Sequence, residues 1–258
     1  MIHSSRGSAN SSKAVPHFVL ALVLLVAPVS PAVGQPVDST AFTDSLRTAL
    51  HQFKRSDRPT PADSAYLRRW SDSAQVKGNS VLRQKPARAH TLLQTALQAH
   101  HALDDTVGVV EILGSIGTTH LYRGRYEKAL SQYREVVEEG GGSRLGMADA
   151  INNIAIVHLR RGRYEEALSH FKEALGIRRT IGNQAEVAGA LNNVGLVYWR
   201  QGRYGKALPR FQEGLRIQRE IGDQNQVATT VRNIGLLHRH QGRYEKALSH
   251  LQESLEIY

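Results

Sequence analysis

Three asparagines, Asn153, Asn193 and Asn233, stand 40 residues apart in a chain of 258. A side-chain amide carries both a donor and an acceptor, the pair a peptide unit presents, so a row of them suits an extended backbone. Asn152, Asn192 and Arg232 stand immediately before them, and Arg160, Arg200 and Arg239 follow a few residues on. Guanidinium groups bind carboxylates through charge-assisted, often paired hydrogen bonds, which favours an acidic or carboxylate-bearing partner. Trp199, beside Arg200, either stacks on a ligand or fills space against its neighbours. The amides have a second reading, internal hydrogen bonding, and the arginines a second one, a solvated surface.

The residue types that carry catalysis do not fall into a catalytic pattern. The 12 histidines show no metal-binding spacing. His120, His158 and His238 take the place in the repeat that Tyr198 takes, which reads as packing between helices. His238 and His240, two apart, point to different faces of a helix. No Ser-His-Asp order, phosphate loop or dinucleotide fingerprint occurs. The run Gly140-Gly141-Gly142 lacks the strand and helix of a phosphate loop and reads as a helix break with local flexibility. No enzyme activity, cofactor, metal or small-molecule substrate is expected. The absence of cysteine removes disulfides, thiolate zinc sites and thiol nucleophiles together.

Hydrophobic residues make up 41% of the chain, enough for a packed core and too many for wholesale disorder. The net charge of +10 admits nucleic acid, acidic peptides and anionic surface polymers as partners. Residues 1–34 read as a secretory signal peptide: Arg6 and Lys13, an apolar run over residues 18–27, then Ala32-Val33-Gly34 as a small-x-small cleavage site. The apolar run is about half of the roughly 20 residues that span a bilayer. Without cysteine there is no thiol for a lipid anchor. The mature chain is thus expected to be periplasmic or secreted, with no stable membrane span, and export argues against intracellular nucleic acid as a partner.

The elements that position the amides are legible as a repeat. Gly124-Arg125-Tyr126-Glu127-Lys128-Ala129-Leu130 returns as Gly162-Arg163-Tyr164-Glu165-Glu166-Ala167-Leu168, Gly202-Arg203-Tyr204-Gly205-Lys206-Ala207-Leu208 and Gly242-Arg243-Tyr244-Glu245-Lys246-Ala247-Leu248, at spacings of 38, 40 and 40. Such a period marks a solenoid whose units bury their apolar faces by stacking. Leu191, Val194, Gly195 and Tyr198 before the glycine, and Tyr204, Ala207, Leu208, Phe211 and Leu215 after it, keep helical spacing. Two amphipathic helices therefore meet at Gly202. Gly195 and Ala207 are small enough for close approach, and Gly182 and Gly222 read as helix stops followed by capping boxes at Asn183 and Asp223.

These motifs resemble the tetratricopeptide repeat family, in its forty-residue variety. The resemblance covers about residues 107–258 as four repeats, the last incomplete at Tyr258, and a degenerate helical repeat over residues 65–106, its first helix within residues 65–82. Residues 35–64 form a polar segment with one short helix over residues 42–53. The implied fold is all-α, a right-handed α-solenoid of stacked antiparallel helix hairpins. Ala155 replaces the usual glycine, Gly214 and Ser254 the second-helix alanine, and Leu251 the aromatic.

In the family the first helices line a concave groove, which implies a peptide-binding face at Asn152, Asn153, Arg160, Asn192, Asn193, Trp199, Arg200, Arg232, Asn233 and Arg239. The implied function is a non-enzymatic exported scaffold for protein–protein interaction, holding a peptide or protein segment. Two alternatives stand beside it. One is the sensory region of a bacterial histidine kinase or similar regulator, with the end at Tyr258 marking a fragment; the other is a polyanion-binding surface protein.

Overall fold

The computed structural model describes residues 39–56, 59–139 and 143–257. The chain divides into units of residues 1–42 and 43–258, and of the first only the opening of α1 is described. The expected signal peptide and the run Gly140-Gly141-Gly142 lie outside the described residues.

Eleven helices and no strand occur among the described residues: α1 (Ser39–Arg55), α2 (Pro61–Val81), α3 (Pro86–Ala102), α4 (Thr106–Tyr122), α5 (Tyr126–Glu138), α6 (Arg144–Arg160), α7 (Tyr164–Ile181), α8 (Gln184–Arg200), α9 (Tyr204–Ile221), α10 (Gln224–His240) and α11 (Tyr244–Ile257). From α2 onward each helix packs on the next, giving five hairpins: α2–α3, α4–α5, α6–α7, α8–α9 and α10–α11. This is the all-α stacked-hairpin solenoid that the repeat implies.

The turn inside each regular hairpin follows from one glycine. Gly124, Gly162, Gly202 and Gly242 have φ of 67°, 72°, 71° and 72°, the left-handed region where a side chain would clash. That conformation lets the next amide reach back: Arg125 N–H donates to the His120 carbonyl, Arg163 to His158, Arg203 to Tyr198 and Arg243 to His238, at 2.9 to 3.0 Å. With the glycine N–H groups donating to Leu121, Leu159, Trp199 and Arg239, this is the Schellman closure of a helix end.

Packing across the hairpin depends on a second kind of glycine. A Cβ at Gly195 would lie 2.8 Å from the Phe211 ring, and one at Gly117 would lie 2.6 Å from Tyr133. Phe211 and Tyr133 are fully buried, and around them Leu191, Val194, Leu237 and Val157 complete the interior. Burying an aromatic ring of this size contributes about 2 to 3 kcal/mol each from apolar area alone.

Two elements differ from their sequence reading. The helix expected within residues 65–82 begins at Pro61, because Thr60 caps it: Asp63 N–H donates to Thr60 Oγ1 at 3.2 Å, and Thr60 N–H donates to Asp63 Oδ2 at 2.9 Å. Proline in the first helical turn sacrifices an amide that has no intrahelical partner, so Pro61 begins the helix instead of delaying it. Within the polar segment, α1 runs Ser39–Arg55, longer than the helix expected over residues 42–53, and Leu46, Ala49 and Leu50 are buried. Between hairpins, Asn183 and Asp223 accept from Glu186 N–H and Gln226 N–H, the forward bond of the expected boxes.

Candidate functional site

The first helices α4, α6, α8 and α10 present equivalent positions once per hairpin, and these positions build the candidate face. Asn153, Asn193 and Asn233 are half-buried along it. Asn193 Nδ2 donates to Asn152 Oδ1 at 2.9 Å, a bond that crosses from α8 to α6 and fixes both amides at the surface. A rotation of about 100° per residue places the neighbouring Asn192 elsewhere. It is 9% exposed and faces the next hairpin, where its Nδ2 donates to Thr230 Oγ1 at 2.6 Å, and that hydroxyl donates to Gln218 Oε1 at 2.8 Å. Asn192 is therefore corrected from a groove residue to a buried cross-link between hairpins. Gly214, in place of the usual alanine, makes room for it: a Cβ there would lie 2.9 Å from Asn192 Oδ1.

Arg160, Arg200, Arg232 and Arg239 are exposed. Among the described residues no ion pair engages any of them. Some arginines elsewhere are spent on carboxylates, Arg161 on Glu127 at 2.6 Å, Arg179 on Glu213 at 2.8 Å and Arg219 on Glu253 at 2.6 Å, while Arg123, Arg125, Arg163 and Arg243 at the hairpin turns have no ion pair among the described residues. The Arg178 side chain, 7% exposed, bridges Asp149 at 2.6 Å and Glu186 at 3.1 Å, which occupies the carboxylate of Asp149 that also stands on α6. The guanidinium of Arg160 sits 5.9 Å above the Tyr122 ring and that of Arg200 sits 5.7 Å above Trp199. Cation–π contact of this kind holds the charge without neutralising it. Trp199 is half-buried and meets His240 of the following hairpin edge-on at 5.5 Å. It thus packs against the neighbouring hairpin while supporting Arg200.

His120, His158 and His238 are 7%, 7% and 6% exposed and face His90, His170 and His250 across their packing layers. Burial, then the neighbouring His90 and the cations Lys128, Arg125 and Arg123, bring His120 down to about 4. His158 and His238 are lowered by burial first and by His170 and His250 among other groups. These rings are neutral at pH 7 and fill space. No group of three or more His, Asp or Glu able to hold a metal occurs among the described residues. No described helix is long and apolar enough to cross a membrane.

Sequence reasoning missed the bridging role of Arg178 and the buried Gln218. A usable signal existed: the two stand 40 residues apart at one repeat position, on a face otherwise apolar. It also missed Tyr122, whose aromatic support for Arg160 depends on the neighbouring hairpin.

No curated protein matches the sequence. The fold is similar to BtubC (BKLC) from P. vanneervenii, at TM-score 0.67 and 19% identity over 86% of this chain and 91% of that one. It is also similar to aspartyl phosphate phosphatase F from Bacillus subtilis, at 0.66 and 16% over 86% and 65%. A Rap protein complexed with competence and sporulation factor matches at 0.65 and 17% over 86% and 66%. The chain spans about two thirds of the length of the latter two, and at such identities the likeness is one of fold. Two models described as tetratricopeptide repeat match residues 115–183 and 186–258, together more than half of the sequence, and with the recurring glycine-closed hairpins they make the chain a member of the tetratricopeptide repeat family.

Proposed function

We propose that this tetratricopeptide array is an exported, non-enzymatic scaffold that holds an extended acidic segment of a protein partner along the face of α4, α6, α8 and α10. One observation carries the reading: Arg160, Arg200, Arg232 and Arg239 stand exposed on successive first helices with no carboxylate paired to any of them, whereas Arg161, Arg179 and Arg219 are ion-paired. An arginine whose charge is not answered within the molecule gains most from a carboxylate brought by a ligand. The half-buried amides of Asn153, Asn193 and Asn233 lie on the same helices and suit the backbone of that segment. Stacked helices hold these groups in place beforehand, so the ordering cost falls on the ligand. A Rap protein of similar architecture is complexed with competence and sporulation factor, which supports the fold's capacity to take a partner. Export rests on the order of basic, apolar and small residues in the first 34 positions.

Fluorescein-labelled glutamate-rich peptides, compared with glutamine counterparts of the same length, test the proposal. The glutamate series should bind, and Arg160→Ser, Arg200→Ser and Arg239→Ser together should weaken it about tenfold or more with helicity unchanged. Equal affinity for both series, or indifference to the three substitutions, would sink it.

A further inference from the structure

A cavity of about 400 Å³ opens between α4 and α6, within the roughly 300 to 1,000 Å³ usual for ligand pockets. Its apolar lining comes from Leu82, Val110 and Val136, all buried, and from Val107 and Leu145, which remain 52% and 37% exposed. Asn153, first of the three recurring asparagines, also lines it, together with Ser115 one repeat earlier.

Two side chains that line the cavity are shorter than their counterparts in the next repeat. Gly114 and Ser115 take the places that Asn152 and Asn153 take 38 residues later. A Cβ at Gly114 would meet no heavy atom within 4 Å, whereas one at Gly117 would collide with the Tyr133 ring. Packing therefore demands Gly117 and makes no demand on Gly114, although a glycine inside a helix disfavours it by about 1 kcal/mol relative to alanine.

Several polar groups of the lining other than Asn153 are already engaged. Glu111 accepts from Gln75 at 3.2 Å, Asp149 from Arg178 at 2.6 Å, and the Thr118 hydroxyl lies 2.9 Å from the Gly114 carbonyl and 3.0 Å from the Tyr133 hydroxyl. The Glu111 carboxylate at the wall, held only by the neutral Gln75, repels an acidic side chain, and the exposed valine and leucine gain from being covered.

We infer that this cavity is the anchor subsite of the groove, taking one large apolar side chain from the segment whose acidic residues lie against the arginines of α6, α8 and α10. The inference rests on the proposed groove and adds the second half of its specificity: an apolar anchor, then a run of acid. A side chain buried in a preformed pocket supplies affinity, while the row of charges sets register and direction.

The probe is a set of labelled glutamate-rich peptides carrying Phe, Leu or Ala at one end. Phe and Leu peptides should bind about tenfold or more tighter than the Ala peptide, from the apolar area buried. Gly114→Leu fills the cavity without meeting a neighbour at its Cβ, and Val107→Glu charges its rim; each should bring the Phe peptide down to the Ala level at unchanged helicity. A preference that survives both variants, or no preference among the three peptides, overturns the anchor while acid-dependent binding leaves the groove standing. Loss of the difference between glutamate and glutamine peptides overturns both. A dimer of the parent chain that Gly114→Leu dissolves would assign the cavity to a second copy and overturn the inference as well.

Discussion

Asn192 in α8 and Gly114 in α4 hold the same place in their repeats, and the surroundings of that place differ completely. Around Asn192 the hairpins are closed by a buried amide, a threonine hydroxyl and a glutamine joined within 2.6 and 2.8 Å. Gly114 instead lines an open cavity with exposed apolar rim residues. Both helices end in the same Schellman turn, and both set a glycine against a buried aromatic ring, Gly195 on Phe211 and Gly117 on Tyr133. Turn and aromatic contact hold the hairpin in each case. The remaining position is thereby released, to cross-link neighbouring repeats in one half of the array and to leave room in the other.

The largest test removes the shared support. Phe211→Ala should open a void in the closed half and lower its stability by roughly 3 to 5 kcal/mol in urea unfolding. A loss below about 1 kcal/mol would mean that the closed half was loosely packed already.

Acid separates the halves next. His120 is brought down to about 4 from the usual 6.5, further than His158 or His238. Well above pH 6.5 both states are neutral and stability is full. Below it the unfolded chain takes up protons that the folded chain refuses, and stability declines as pH falls toward 4, by about 1 to 3 kcal/mol. Hydrogen exchange should therefore quicken in α4 before α10 on acidification, and His120→Phe should remove that order. Simultaneous loosening of all the hairpins would break the comparison.

The smallest effect has opposite signs at two neighbouring glycines. Gly114→Ala should stabilise by about 0.5 to 1 kcal/mol through helix propensity, since nothing opposes the new methyl group. Gly117→Ala should destabilise, because its Cβ falls 2.6 Å from the Tyr133 ring. Thermal midpoints of the two variants, moved in the same direction, would show that the cavity at Gly114 is not open in solution.

The hairpins are legible in the sequence because a left-handed turn admits little besides glycine and a close helix crossing demands a small residue. Gly124, Gly162, Gly202 and Gly242 answer the first requirement, and Gly195 with Phe211 the second. The start of α2 reads four residues late in the sequence, since Pro59 and Pro61 look like breakers until Thr60 and Asp63 are seen to close a capping box on each other. Asn192 and Asn193 read as one feature because the pattern repeats them together; only the packing of α8 against α10 separates a buried cross-link from a surface amide.

What the sequence determines alone is what depends on residues close in the chain: the forty-residue period, the helical spacing of apolar residues, the glycine stops, and with them the family. What only the tertiary structure decided depends on residues about 30 to 40 positions apart. That group includes which arginines find carboxylates, which asparagine is buried, and where a cavity opens. Neighbouring repeats meet through side chains that the period makes equivalent in place but not in kind, and their pairing is settled by distance and burial across the interface.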